Sequence, residues 1–151
     1  MKIGELAQAA ATPVETIRYY EREGLLPAPQ RTEGNFRFYQ PAHLERLQFI
    51  RHCRSLDMSL DEVRVLLRFK DAPEESCGDV NALLDEHIGH VSQRIKELKA
   101  LEKHLKELRL RCDESRPAEQ CGILAGLSEA LGEGAAPAKE HSHLRHVHGR
   151  R

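Results

Sequence analysis

Three cysteines, Cys77, Cys112 and Cys121, have the plainest capacity for chemistry in this chain. Thiolates are soft donors, and such a set takes Pb(II), Cd(II), Hg(II), Zn(II) or Cu(I) ahead of hard ions. Three anionic sulfurs are also better compensated by a divalent ion than by a monovalent one. Their spacing poses a geometric problem. Cys77 and Cys112 lie 35 residues apart, with no proline between them. An unbroken helix rises about 1.5 Å per residue and would hold them roughly 50 Å apart. Two copies of that helix packed antiparallel would solve it, setting Cys77 of one beside Cys112 and Cys121 of the other. The expectation is a metal-responsive homodimer whose ligands come from both protomers.

Histidines offer a second donor set. His87 and His90 are three residues apart, on one face of a helix, a workable pair for a borderline metal. His141, His143, His146 and His148 crowd the C-terminal tail and could share an ion with them. The bland alternative is a solvated tail with surface histidines. Cys53 falls among apolar positions and reads as a small buried hydrophobe, outside the metal site. A nucleophilic cysteine enzyme would need a base and a pocket, and no motif supplies them, so no catalytic residue is assigned. A structural zinc-binding coiled-coil protein remains the alternative from another class, and removing its metal would unfold it.

The elements that would position these groups are mainly helical. Ile3, Leu6, Ala7 and Ala10 give a first helix its apolar face. Thr12-Pro13-Val14-Glu15 reads as a capping box opening a second helix, which Gly24 ends. Helices joined this tightly fit a helix-turn-helix, with Arg18, Tyr19 and Arg22 facing outward. Glu33-Gly34-Asn35 reads as a hairpin tip, and Phe36 to Tyr39 alternates like a half-buried strand. That small β-wing would carry Asn35 and Arg37 to a phosphate backbone. Two further helices follow, the second opened by the capping box Ser59-Leu60-Asp61-Glu62. From Val80 to Leu108 apolar residues recur at steps of three and four, the seam of a coiled coil. A loop from Asp113 to Gln120 and a short helix, Ile123 to Leu131, complete the ordered part.

The expected fold is therefore a winged helix-turn-helix domain over residues 1–70 and an antiparallel coiled-coil dimerisation helix over 76–112. A metal-binding loop with a short helix covers 112–131, and a disordered His-rich tail covers 132–151. Net charge is −1, so nothing global points to nucleic acid, but residues 16–54 carry seven Arg against four acids. No secretory signal and no membrane-spanning apolar run is visible. A cytoplasmic location with reduced thiols is the expectation, and there cysteines serve metals more often than disulfides.

Together the runs IGELA…ATPVETIRYYEREGLLP, R…GNFRFY and LERLQFIRHCRSLDMSLDEVRVLL resemble the MerR family of transcription regulators. The resemblance spans roughly residues 1–130. Cys77, Cys112 and Cys121, with DVNALLDEHI and CGILAGLSE, look like its cadmium/lead-responsive branch. It implies a homodimer on double-stranded operator DNA in a promoter spacer, with RNA polymerase at the same promoter. Metal binding would then distort the DNA and activate heavy-metal resistance or efflux genes. By position it implies DNA contacts from Arg18, Tyr19, Asn35, Arg37 and Tyr39. The copper-sensing branch has Ser at the Cys77 position, and the zinc-sensing branch usually places His in the loop, here DESRPAEQ. Pb(II) or Cd(II) is thus the expected effector, with Zn(II) and Hg(II) as alternatives.

Overall fold

The computed structural model describes residues 1–129 and divides the chain into two compact units, Met1–Gln93 and Arg94–Arg151. The expected tail, with His141, His143, His146 and His148, lies outside the described residues.

In the first unit, α1 (Ile3–Ala9) and α2 (Val14–Arg22) pack together through Leu6, Ala10 and Ile17. The junction differs from the expected capping box. Thr12 is buried and its hydroxyl donates to the Ala10 carbonyl, 3.0 Å away, while Pro13 becomes the N-cap. The cause is Ala11 at φ 46°, which folds the chain back so sharply that Thr12 faces α1 rather than α2. Gly24, at φ 72°, ends α2 in the left-handed region that only glycine enters without strain.

The wing is a two-stranded antiparallel ribbon, β1 (Gln30–Arg31) and β2 (Arg37–Phe38), pairing Gln30 with Phe38 and Arg31 with Arg37. Asn35, at φ 62°, makes the tip, and its side-chain oxygen accepts from Arg31 Nη1 at 2.8 Å. The expected burial by alternation is absent. Phe36, Arg37 and Phe38 are all exposed, because so short a ribbon stands off the core. Only Tyr39 turns inward, fully buried, its backbone N–H bonded to the Met1 carbonyl.

Helices α3 (Pro41–Ser55) and α4 (Leu60–Lys70) close the core with Leu47, Ile50, Val63 and Leu67. The Ser59 box is present: Glu62 N–H donates to Ser59 Oγ at 3.1 Å, and Ser59 N–H donates to Glu62 Oε1 at 3.0 Å. Arg46 joins this layer to the end of α2, donating to the Leu25 carbonyl at 2.6 Å and forking onto Asp71. Cys53 is buried among these residues, and burial pushes its thiol up. The first turns of α5 (Gly78–Arg109) also belong here, with His87 buried against the α3–α4 turn.

Helix α5 runs 32 residues without interruption. Its stripe Leu84, Ile88, Val91, Ile95, Leu101 and Leu105 stands 42–55% exposed, an apolar face with no cover in the single chain. The described part of the second unit contains the rest of α5, a 3₁₀ turn (Ala118–Gln120) and α6 (Gly122–Leu127). None of its described residues is fully buried. No helix of the described residues is long and apolar enough to cross a membrane.

Candidate metal centres and nucleic-acid interface

Cys112 lies just past the end of α5, after Leu110 and Arg111, and Cys121 is the N-cap of α6. The intervening loop returns the chain so that the Cys112 thiol faces both the Glu114 carbonyl oxygen, at 3.3 Å, and the Cys121 sulfur. Cys121 is held below its ordinary thiol value. The largest cause is the backbone N–H of Leu124; desolvation comes second and opposes it, and the Ile123 N–H, the Cys112 thiol and the Arg116 guanidinium then add to the lowering. Two half-exposed thiols, one predisposed to the thiolate, fit a soft ion. Arg109 donates to the Cys112 carbonyl at 2.6 Å, and Asp113 lies 3.5 Å from Arg116, so the loop is tied down on both flanks. Cys77 belongs to the other unit, exposed one residue before α5.

A second donor cluster lies within the first unit. Glu62, His87 and His90 present ligand atoms within 4.8 Å of one another. His87 Nε2 lies 2.8 Å from the Leu56 carbonyl, which fixes it as the protonated nitrogen. Nδ1 is then a buried lone pair without a hydrogen bond, yet Glu62 Oε2 lies 2.9 Å from it. A lone pair facing a carboxylate is repulsive, so this contact requires a proton or a cation. Burial raises Glu62, but the Ser59 backbone and hydroxyl, then His87 and His90, outweigh it and hold the carboxyl below its ordinary value. Sequence reasoning found both histidines and missed Glu62, because its capping role explains it completely at the level of spacing. The tail histidines expected to join them are outside the described residues.

The outward face of α2 and the wing form a third site. Arg18, Arg22 and Arg37 converge with Glu21 and Ile3 around a cleft of about 340 Å³. Tyr19 is 39% exposed, with the Arg22 guanidinium 5.9 Å from its ring centre. Arg37 lies 3.5 Å from Glu21. Three guanidiniums on one face suit phosphate oxygens. Tyr39 must be removed from the expected DNA-contacting set. Its side chain is buried, its ring meets His43 edge-on, and its hydroxyl donates to Glu21 Oε1 at 2.5 Å. Burial first, then Glu21, pushes that hydroxyl up to about 12, so it remains a donor at any ordinary pH. Asn35 shapes the wing tip through its turn and Arg31, while Arg22, beside Arg18 and Arg37, belongs in the cleft.

Comparison with known proteins accounts for this arrangement. The model of the MerR HTH family regulatory protein matches residues 1–70, and that described as MerR, DNA binding matches 44–108. The ZntR homolog of Haemophilus influenzae, an HTH-type transcriptional regulator, is 52% identical over 109 residues, covering 72% of this chain and 81% of the relative. The transcription regulator PbrR691 from Ralstonia metallidurans, crystallised in complex with Lead(II), is 55% identical, with a TM-score of 0.76 over 85% of this chain and 99% of that one. MerR from Bacillus megaterium, in complex with mercury (II) ion, is 32% identical, with a TM-score of 0.67 over 85% of this chain and 100% of that one. With the helix-turn-helix, the wing, the long helix and the thiol loop in this order, the chain belongs to the MerR family, as a DNA-binding transcription regulator of its metal-responsive branch and not an enzyme.

Proposed function

We propose that two chains pair through the open stripe of α5 as an antiparallel coiled coil. Cys77 of one protomer then joins Cys112 and Cys121 of its partner in a three-thiolate site at each end. The uncovered Leu84, Ile88, Val91, Ile95, Leu101 and Leu105 support the pairing, because a stripe this long is poorly tolerated in water. The observation that carries the metal reading is the juxtaposition of the Cys112 and Cys121 sulfurs at the end of that helix.

The effector that suits this site is Pb(II) or Cd(II). Zn(II) strongly prefers four ligands, and three thiolates leave it one short. The likeness to PbrR691, crystallised with Lead(II), favours the same reading, while the likeness to a mercury-bound MerR keeps Hg(II) as the alternative beside Zn(II). A bound ion supplies a cross-link between protomers. The chain's own residues do the remainder: Arg18, Tyr19, Arg22 and Arg37 grip operator phosphates, and α5 carries strain from the thiol ends to those grips. DNA distortion rather than release then realigns the promoter for RNA polymerase in the cytoplasm, activating metal-resistance or efflux genes. Coupling of about 1–3 kcal/mol is enough for such a switch.

Mixed dimers test the shared site. Cys77→Ser and the Cys112→Ser/Cys121→Ser double variant each lose both sites as homodimers. Co-expressed as a heterodimer, they should regain one site per dimer by equilibrium dialysis with Pb(II) or Cd(II). No regained binding would refute the cross-protomer arrangement, and promoter activation across Pb(II), Cd(II), Zn(II) and Hg(II) ranks the effectors. The 2.9 Å approach of Glu62 Oε2 to His87 Nδ1, which a cation or a proton must bridge, favours a further ion at Glu62, His87 and His90, completed by tail histidines. Under the same dialysis Glu62→Gln should bind one ion fewer per chain than the parent, and an unchanged stoichiometry would dismiss that ion.

A further inference from the structure

A close backbone contact sits one residue from each of the two loop thiols. Arg111 immediately precedes Cys112, and Gly122 immediately follows Cys121. A Cβ built on Gly122 would overlap the Arg111 carbonyl oxygen and lie 3.1 Å from the Arg111 carbonyl carbon. The left-handed backbone that would otherwise call for glycine is absent at Gly122, so space alone requires it. A backbone oxygen cannot swing away as a side chain can.

We propose that the Arg111–Gly122 contact is the positioning element of the chelate, setting the separation of the Cys112 and Cys121 sulfurs before any ion arrives. Cys121 is pinned from both sides: its N–H donates to the Ala118 carbonyl at 3.1 Å, and its carbonyl accepts from Ala125 N–H at 3.1 Å. Cys112 is pinned by its N–H on the Arg109 carbonyl and its carbonyl on the Arg109 guanidinium. With both cysteines fixed locally, the distance between the two fixed frames depends on Arg111 against Gly122. A second glycine, Gly126, admits the Arg111 side chain, which reaches Glu129 at 3.3 Å. That neighbour is the end of a flexible side chain and can move. Preorganisation of two thiolates removes the ordering cost that a floppy loop would charge against every bound ion.

This inference rests on the reading of Cys112 and Cys121 as ligands, and the variants separate the two. Gly122→Ala should weaken Cd(II) binding at least tenfold by competition with a chromophoric chelator, with operator affinity of the metal-free protein unchanged. Alanine is the better helix former, so propensity alone would act in the opposite direction. In a Cys77→Ser background without metal, phenylarsine oxide, which needs two thiols within one bite, should react at least tenfold more slowly with Gly122→Ala than with its parent. Gly126→Ala and Arg111→Ala, which leave the backbone contact intact, should stay within about threefold of the parent in both measurements. Parent-like values for Gly122→Ala would overturn the proposal. So would an equal loss in Arg111→Ala, which would make the side-chain clasp the positioning element. Parent-like Cd(II) affinity in Cys121→Ser would instead remove the ligand assignment beneath it.

Discussion

The two ends of the chain are held together by different means. Residues 1–70 enclose a core of their own, with Leu6, Ile17, Tyr39, Ile50 and Val63 at 0% exposure. The described residues after Gln93 include no fully buried side chain, and their shape comes from backbone turns, two glycine contacts and short ion pairs. The end that the MerR family models match thus has its core complete within one chain, whereas the end that carries Cys112 and Cys121 encloses none among its described residues. A sensor gains from that division. On the proposed function, the part that changes shape when an ion binds is drawn from weakly held structure, and the part that holds the operator from the packed core.

Core truncation should break this contrast most forcefully if it is wrong. Leu47→Ala removes a side chain only 1% exposed and should cost about 2–5 kcal/mol in urea unfolding. Leu127→Ala, at a position 64% exposed, should stay within about 0.5 kcal/mol. A cost above about 2 kcal/mol at Leu127 would mean that a partner covers α6, and the weakly held end would then be weak only in the single chain.

Thiol reactivity sharpens the contrast on a smaller scale. Cys53 is 7% exposed and burial raises it, whereas Cys121 is half-buried and lowered by the Leu124 and Ile123 N–H groups. The thiolate is the nucleophile, so iodoacetamide at neutral pH should modify Cys121 at least about tenfold faster than Cys53. Mass spectrometry of partial digests reads this directly. Equal rates would mean that the core around Cys53 opens as readily as the thiol loop.

How much of each end was legible in the sequence follows the same division. In the first unit apolar periodicity and the Ser59 box placed α1 to α4 closely, because burial and capping leave marks at fixed spacing. Thr12 and Tyr39 escaped that logic. The positive φ at Ala11 and the insertion of Tyr39 between Glu21 and His43 are tertiary outcomes with no periodic signature. In the second unit the cysteines were legible as donors by type alone. The close backbone contact beside them was not, since Gly122 reads as an ordinary helix-start residue until Arg111 is placed against it. Glu62 was likewise hidden, a carboxylate serving a cap and a histidine at once.

The smallest effect tests whether the rigid end grips DNA as its geometry implies. Arg37 stands 45% exposed on β2, restrained by Glu21, whose own side chain is 13% exposed and also accepts from the buried Tyr39 hydroxyl. The guanidinium is therefore held ready on the wing, at little loss of side-chain freedom when it meets a phosphate. Arg37→Ala should weaken binding to operator and to random duplex alike, by a few-fold at moderate salt. The slope of log affinity against log salt should flatten by about one. An unchanged slope would take Arg37 off the backbone and leave Arg18 and Arg22 as the phosphate grip. A loss confined to operator would make Arg37 a reader of bases or of groove shape, placing sequence discrimination on the wing.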